Sequence, residues 1–270
     1  MELLQRISES LLTVKEKSPL VHHLTNYVTV NDCANMVLAI GASPVMADDI
    51  NEVEEMAGFA SALVLNIGTL NARTTESMLA AGIQARKRGI PVILDPVGVG
   101  ATQLRTVTAE KIIKEVKPTV IRGNMSEIKV LAGLNVEIKG VDSAADAQGG
   151  VEVAQSLAKE LNCVVAITGA IDIISDGTRT CLISNGHKIL ADVTGTGCMA
   201  TSLIGAYCGA TKDYFVATAA GIMTMGLAGE KAYSLLKEGD GIGMFKVRLF
   251  DSVYNLTSEN LLVGGKIQGE

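Results

Sequence analysis

The run Asp192-Val193-Thr194-Gly195-Thr196-Gly197-Cys198-Met199-Ala200-Thr201 sets two glycines and a cysteine at the mouth of an apolar segment. Glycine lets backbone N–H groups close on an anion with no Cβ in the way. The Cys198 to Ala210 stretch, rich in Ala, Leu, Ile and Ser, predicts a helix whose positive dipole end would face that anion. A tight turn between strand and helix is the plainer reading of Gly-x-Gly. Two familiar nucleotide motifs fit poorly. Ala200 meets only the looser dinucleotide fingerprint and no clear strand follows to complete a βαβ unit, while no Lys-Ser/Thr follows as a Walker loop requires.

The elements that must hold this loop read as α/β. Short β-rich runs at Leu63 to Ile67, Pro91 to Leu94, Thr119 to Arg122 and Val164 to Thr168 alternate with amphipathic stretches. The clearest helices are Thr74 to Arg88, Ala145 to Leu161 and Tyr214 to Leu236. Ile173 to Ser175 and Thr180 to Ile183 read as antiparallel strands around Asp176-Gly177. A mostly parallel sheet flanked by helices, with an antiparallel edge, is expected. Ligands in such sheets bind outside the carboxyl ends of the strands. Asn66-Ile67-Gly68-Thr69, Asp95-Pro96-Val97-Gly98, Arg122-Gly123-Asn124 and Thr168-Gly169 occupy those ends, although each alone could be turn chemistry. Arg122 offers a planar fork of donors suited to phosphate, or to an ordinary ion pair.

Asp-x-Thr-Gly-x-Gly before a reactive side chain resembles the phosphate loop of the ribokinase-like superfamily. In that loop an aspartate stands as the base where this chain has Cys198. Together with His23-Leu24-Thr25-Asn26-Tyr27-Val28, Ala34-Asn35, Gly41-Ala42-Ser43-Pro44-Val45-Met46 and Asp95-Pro96-Val97-Gly98, the loop is similar to that of the hydroxyethylthiazole kinase family of thiamin salvage. The likeness runs from about Val21 to the final helices. It implies a ribokinase-like fold and ATP-dependent phosphorylation of the hydroxyl of 4-methyl-5-(2-hydroxyethyl)thiazole, with Mg2+ bridging the phosphates.

The resemblance also implies roles. Gly195, Gly197 and Cys198 would be catalytic, their N–H groups holding the γ-phosphoryl. Arg122, Thr168, Asn124 and Thr194 would contact ATP. Asn124-Met125-Ser126-Glu127 looks like the family's Asn-x-x-Glu motif, and magnesium needs only one or two carboxylates, so Asp95 and Glu127 are the candidate metal residues. Glu127 could equally close a capping box. Met46, Asn26, Gly68 and Gly195 would meet the substrate, with Pro44 and Val28 as walls. Met46 has a flexible thioether suited to a flat sulfur-containing ring, yet it could be core filler. Family members are trimers with sites between subunits, so Met46 could serve a neighbour's pocket.

Cys198 in a base position poses a chemical question. A thiol with a pKa of about 8.5 is only a few per cent thiolate at neutral pH. A helix N-terminus is expected to raise that fraction and phosphate charge to lower it. Filler is the plainer role for Cys198. His22 and His23 are adjacent in a strand, so they face opposite ways and cannot readily share a ligand. One of them is expected to be structural, its ring bonded to backbone. His187 is placed in the predicted hairpin, exposed.

Composition excludes several classes. The 270 residues carry a net charge of -6, no Trp and 3% aromatics, which argues against a general nucleic-acid binder. Charges at Glu2, Arg6, Glu9, Lys15, Glu16 and Lys17 break any signal-peptide core. The uncharged Val193 to Thr211 stretch approaches the roughly 20 residues of a membrane span. Its Gly, Thr, Ser and Ala content reads better as a loop plus a buried helix. Five cysteines without a C-x-x-C pair suggest neither a disulfide framework nor zinc, and fit a reducing cytoplasm. No linker or low-complexity tract divides the chain, so a single domain over 1–270 is expected.

Four other activities compete. A nucleophilic Cys198 would need a His partner. A nucleotide-dependent dehydratase of the same superfamily would normally keep the aspartate. A non-catalytic nucleotide sensor would have kept the fold without turnover. A sibling kinase would take hydroxymethylpyrimidine or a sugar.

Overall fold

The computed structural model describes residues 2–133 and 144–269. Among the described residues nine strands form one sheet: β1 (Leu20–Leu24), β2 (Ser43–Val45), β3 (Ala62–Asn66), β4 (Val92–Asp95), β5 (Val120–Asn124), β6 (Val164–Thr168), β7 (Asp172–Ser175), β8 (Thr180–Ile183) and β9 (Ile267–Gly269). Their order is β2-β1-β3-β4-β5-β6-β7-β8-β9, parallel from β2 to β6 and antiparallel beyond. The expected mostly parallel sheet with an antiparallel edge is what forms.

Eleven α-helices cover the sheet among the described residues: α1 (Glu2–Lys17), α2 (Val30–Ile40), α3 (Val53–Phe59), α4 (Ala72–Lys87), α5 (Gln103–Val116), α6 (Met125–Leu131), α7 (Ala144–Leu161), α8 (Thr196–Ala210), α9 (Tyr214–Ser234), α10 (Ile242–Tyr254) and α11 (Ser258–Gly264). Side chains alternate across each parallel strand. In β3, Ala62 and Val64 enter the core under α1, α2, α8 and α9, while Leu63 and Leu65 enter the opposite core with α4, α5 and α7. Burial on both faces explains why these strands read as apolar runs.

The packing of α8 decides where its amino end points. A Cβ at Gly205 would lie 2.8 Å from Val64 Cγ2 and one at Gly221 would lie 2.7 Å from the Ile204 nitrogen. Glycine at both positions therefore lets α8 lie directly on β1 and β3, and α9 directly on α8. Tyr207 and Thr224 add a buried hydroxyl pair at 2.8 Å between the two helices. Seated this way, α8 presents its first turn to the carboxyl ends of the strands.

Several expectations shift. The strands β4 and β5 run on through Asp95 and through Asn124, so those side chains leave from the last ladder residues rather than from loops. α8 begins at Thr196, two residues before Cys198. β2 and β9 were not expected. Each has three residues, too few for a readable alternation, and Pro44 is tolerated because β2 is an edge strand. No helix among the described residues is long and apolar enough to cross a membrane, and the uncharged stretch from Val193 is a loop followed by buried α8.

Both strand histidines are structural. His22 Nε2 donates to the Ala47 carbonyl at 2.6 Å, while His23 Nδ1 lies 3.1 Å from the Val21 carbonyl and Nε2 lies 3.1 Å from Ser202 Oγ. Burial lowers both pKa values, that of His23 to about 4. The placement of His187 is corrected. It lies outside the β7–β8 hairpin, where it caps a 3-10 helix (Lys188–Asp192) and is half-buried by stacking on Tyr233 at 3.6 Å.

Candidate functional site

The first turn of α8 is built to leave amides free. Gly195 takes a left-handed conformation, φ +94, and its carbonyl accepts from Met199 N at 2.8 Å, which starts the helix. Among the described residues no side chain caps this end, and the N–H groups of Thr196, Gly197 and Cys198, in the first turn, have no intrahelical partner. Thr196 instead turns its hydroxyl back to the Leu190 carbonyl at 2.9 Å. Free amides at a helix start are an anion-binding arrangement.

Close approach explains both glycines. A Cβ at Gly195 would lie 2.5 Å from Thr29 Cγ2, and one at Gly197 would lie 2.7 Å from Arg122 Nη1. The Arg122 guanidinium thus lies against the loop, where Nη2 donates to Thr168 Oγ1 and Nη1 is 3.7 Å from Asp95 Oδ2. A cation and free amides therefore converge on one spot. Asp172, a residue that motif reading did not single out, supports the neighbouring turn by accepting from Gly169 N at 3.0 Å; burial pushes its pKa up to about 7.

A carboxamide relay lies under Cys198. The Asn26 carboxamide oxygen accepts from the backbone N and hydroxyl of Thr29 at 3.0 Å each, and its Nδ2 donates to Asn66 Oδ1 at 3.0 Å. Asn66 Oδ1 also accepts from Gly68 N at 2.9 Å. Asn26 and Asn66 each direct Nδ2 at Cys198 Sγ, at 3.4 and 3.3 Å. These contacts favour thiolate, but burial and the nearby Asp95 carboxylate outweigh them and push the Cys198 thiol up. To the opposing pulls of helix end and phosphate, which the sequence left in balance, the structure adds desolvation and a like charge, both against thiolate.

Asp95 is fully buried. Its Oδ2 accepts from Thr201 Oγ1 at 2.7 Å and Asn66 Nδ2 at 3.0 Å, while Oδ1 has no hydrogen-bond partner among the described residues. Burial raises its pKa to about 6 against the opposing pull of Arg122. Glu127 accepts Gly98 N on Oε1 and Asn124 N on Oε2, both at 2.8 Å, and Asn124 Oδ1 accepts Glu127 N at 2.9 Å. The capping box is thus present, and it aligns the carboxylate without using all its lone pairs. An orphaned carboxylate oxygen on Asp95 and a second, backbone-held carboxylate form an oxygen donor set of the kind magnesium takes. No group of three or more His, Cys, Asp or Glu that could hold a metal occurs among the described residues.

Asn26, Gly68, Asp95, Arg122, Thr168, Gly195, Gly197 and Cys198 are thus joined by hydrogen bonds or close approaches across five strand ends and α8. Thr194 is exposed on the loop and Asn124 is exposed at the end of β5. Met46 is half-buried just after β2, with Pro44 in that strand, and Val28 is 58% exposed in the turn before α2. Pro44 and Met46 lie at the β2 edge of the sheet and Val28 in the β1–α2 turn, and none of the three belongs to the hydrogen-bonded group. Thr29, Thr201 and Arg105 were not singled out in the sequence. Thr201 stood inside the loop motif and could have been found there, but no local signal marks the other two. A cavity of about 590 Å3 lined by Leu227, Lys231, Arg248, Ser252 and Val263 lies among α9, α10 and α11 and shares no residue with this site.

The sequence model of the hydroxyethylthiazole kinase family matches residues 11–259. The chain is 58% identical over 268 residues to the hydroxyethylthiazole kinase of Alkaliphilus oremlandii, covering 99% of each, and 53% identical over 273 residues to that of Clostridium beijerinckii, covering 99% and 98%. The solved hydroxyethylthiazole kinase from Pyrococcus horikoshii superposes with a TM-score of 0.89 at 40% identity, with 98% of each chain covered. The pyridoxal kinase from Staphylococcus aureus in complex with AMP-PCP superposes with a TM-score of 0.56 at 17% identity over 78% of this chain and 88% of that one, a likeness of fold. With a match over most of its length to the family's sequence pattern and near-complete coverage by such relatives, the chain belongs to the hydroxyethylthiazole kinase family.

Proposed function

We propose that this protein transfers the γ-phosphoryl group of ATP to the hydroxyl of 4-methyl-5-(2-hydroxyethyl)thiazole. The observation that carries the reading is the uncapped first turn of α8, whose free amides lie against the Arg122 guanidinium. The transferred group gathers charge on its oxygens, so donors already in place at that point supply most of what the step needs. Arg122, Thr168, Asn124 and Thr194 contact the nucleotide, and the Gly195–Cys198 amides hold the γ-phosphoryl.

The acceptor oxygen attacks phosphorus as the bond to the ADP oxygen breaks, and its proton leaves towards Cys198 or solvent. Only the thiolate form of Cys198 can take that proton, and burial and Asp95 make that form scarce at neutral pH, which suits a loose transition state that asks for proton removal late. Asn26 and Gly68 shape the acceptor side beside Gly195. The Gly68 N–H is taken by Asn66, and a Cβ at Gly68 would lie 3.0 Å from Asn26 Cβ, so glycine lets this turn pack against Asn26 on the acceptor side. Met46, Pro44 and Val28 belong to the apolar wall, which is completed between subunits of a homotrimer. Asp95 through Oδ1 and Glu127 would hold Mg2+, which when bound neutralises phosphate charge. One domain, residues 1–270, working in the cytoplasm, completes the reading.

The test is mass-spectrometric detection of thiazole phosphate after incubation with ATP and magnesium, with hydroxymethylpyrimidine and ribose in parallel. Magnesium-dependent thiazole phosphate is expected. Product from the pyrimidine alcohol or the sugar alone would overturn the substrate, and ATP binding without any product would overturn the kinase reading.

A further inference from the structure

Arg105, in the first turn of α5, spends its guanidinium on backbone. Nη1 donates to the carbonyls of Val97 and of Ile67, the latter at 3.2 Å, and Nη2 donates to that of Gly68 at 2.7 Å. No carboxylate pairs with it among the described residues. The three acceptors belong to the loops that leave β3 and β4, so one planar cation ties two adjacent strand ends together.

The Val97 oxygen and the Gly98 N–H are the two polar ends of a single peptide group. Arg105 holds the oxygen, and Glu127 Oε1 holds the N–H at 2.8 Å. Gly98 has φ +71, and a Cβ there would lie 3.0 Å from Arg105 Nη1, so the guanidinium fits beneath a residue without a side chain. The other end of the fork holds Gly68, whose N–H is held by Asn66. Ile67 N and the Gly98 carbonyl are bonded too, to the Asp95 carbonyl and to Ala101 N, so most backbone polar groups of this short rim are committed. A Lys ammonium is a single point of charge and cannot match a fork spread over two nitrogens.

We propose that Arg105 is a positioning residue for the acceptor alcohol: it locks the Ile67–Gly68 and Val97–Gly98 segments into one rigid rim and couples that rim, through the Val97–Gly98 peptide, to Glu127. The proposal rests on the phosphoryl-transfer reading and extends it to a residue that touches neither substrate nor nucleotide. Loosening the rim moves the hydroxyl relative to phosphorus, while Asn124 still holds Glu127 through the capping box and Arg122, Thr168 and the α8 amides keep the nucleotide in place. Misplacement by about 1 Å costs roughly 100-fold in rate.

The experiment compares wild type with Arg105→Lys and Arg105→Met. It reads kcat, KM for thiazole alcohol, KM for ATP, and ADP formed per phosphorylated alcohol. Asp213→Asn, which perturbs the Arg6 and Arg179 ion pairs remote from the site, serves as a stability control. The expected result is a KM for the alcohol raised about tenfold, kcat lowered by about 10- to 100-fold, and KM for ATP within about twofold. ADP is expected to exceed phosphorylated alcohol as water reaches the unaligned phosphoryl group. Unchanged kinetics would overturn the proposal, as would both KM values moving together with one ADP per product, the pattern of a purely structural loss. A wild-type enzyme that makes no thiazole phosphate would count against the substrate reading instead. The same ratios would then be read on whichever small alcohol it phosphorylates.

Discussion

Asn66 Nδ2 lies 3.0 Å from Asp95 Oδ2 and 3.3 Å from Cys198 Sγ, so one amide group points a hydrogen at a carboxylate and another at a thiol. Its carbonyl oxygen is occupied by Asn26 Nδ2 and Gly68 N, which leaves the side chain a single orientation. The protonation of Cys198 is therefore set by a fixed neighbour as well as by burial.

For wild type, kcat/KM is expected to keep rising past pH 9, because burial and Asp95 push the Cys198 thiol above its ordinary range and only thiolate accepts the proton. Cys198→Asp is expected to keep or improve transfer at pH 7, by up to about 100-fold, with a flat profile above pH 8. Steady-state rates across pH 6 to 10 check this. A folded, ATP-binding but inactive Cys198→Asp enzyme would remove Cys198 from the base position.

Gly197→Ala and Gly195→Ala should fail differently. The new methyl at 197 meets the Arg122 guanidinium at 2.7 Å, a movable group, so KM for ATP is expected to rise roughly tenfold, about 1.4 kcal/mol, with little loss of melting temperature. At 195 the residue must adopt φ +94 and meets Thr29 at 2.5 Å, so stability is expected to fall by about 1–3 kcal/mol. Thermal melts alongside ATP titration separate the two, and equal melting losses would contradict the difference.

Asp95 carries a pH signature. Its folded pKa of about 6 exceeds the ordinary 3.8, so the folded state holds the proton more tightly and stability falls as pH rises from about 4 through 6. Asp95→Asn, which keeps an acceptor for Thr201 and Asn66, is expected to gain on the order of 2 kcal/mol relative to wild type between pH 4 and pH 8 while losing activity. Loss of the Arg122 contact adds a pH-independent offset. Urea melts at both pH values would contradict this if the variant's difference from wild type stayed constant.

His23 works in the opposite direction. Its pKa is lowered to about 4 by burial, so the contribution of the neutral ring is fully present above about pH 6.5 and is lost as pH falls towards 4. That loss is on the order of 3 kcal/mol across the range. In His23→Gln the drop in melting temperature between pH 7 and pH 4.5 should shrink. An unchanged drop would place acid sensitivity elsewhere.

Much of the site was legible because its signals are local. Gly195-x-Gly197 at the start of an apolar segment showed a glycine turn into a helix, the resemblance added its reading as a phosphate loop, and the polar residues at the ends of β3, β4, β5 and β6 needed only the strand pattern. β2 and β9 escaped because three residues show no period. Arg105 escaped because an arginine in the first turn of an amphipathic helix looks like a solvated charge until the carbonyls of Ile67, Gly68 and Val97 are seen to converge on it.

The alternation of apolar runs and amphipathic segments by itself determined the mostly parallel sheet, and Gly195 and Gly197 before an apolar run by themselves determined a glycine turn into a helix, because both depend on backbone geometry within a few residues; that the first turn is left uncapped came from the tertiary structure. The protonation state of Cys198 was decided only by the tertiary structure. Asp95 and the two asparagines reach it from other strand ends, and burial strips away the water that would have stabilised a thiolate. Charge and desolvation act through space, so their balance appears only when distant segments are brought together.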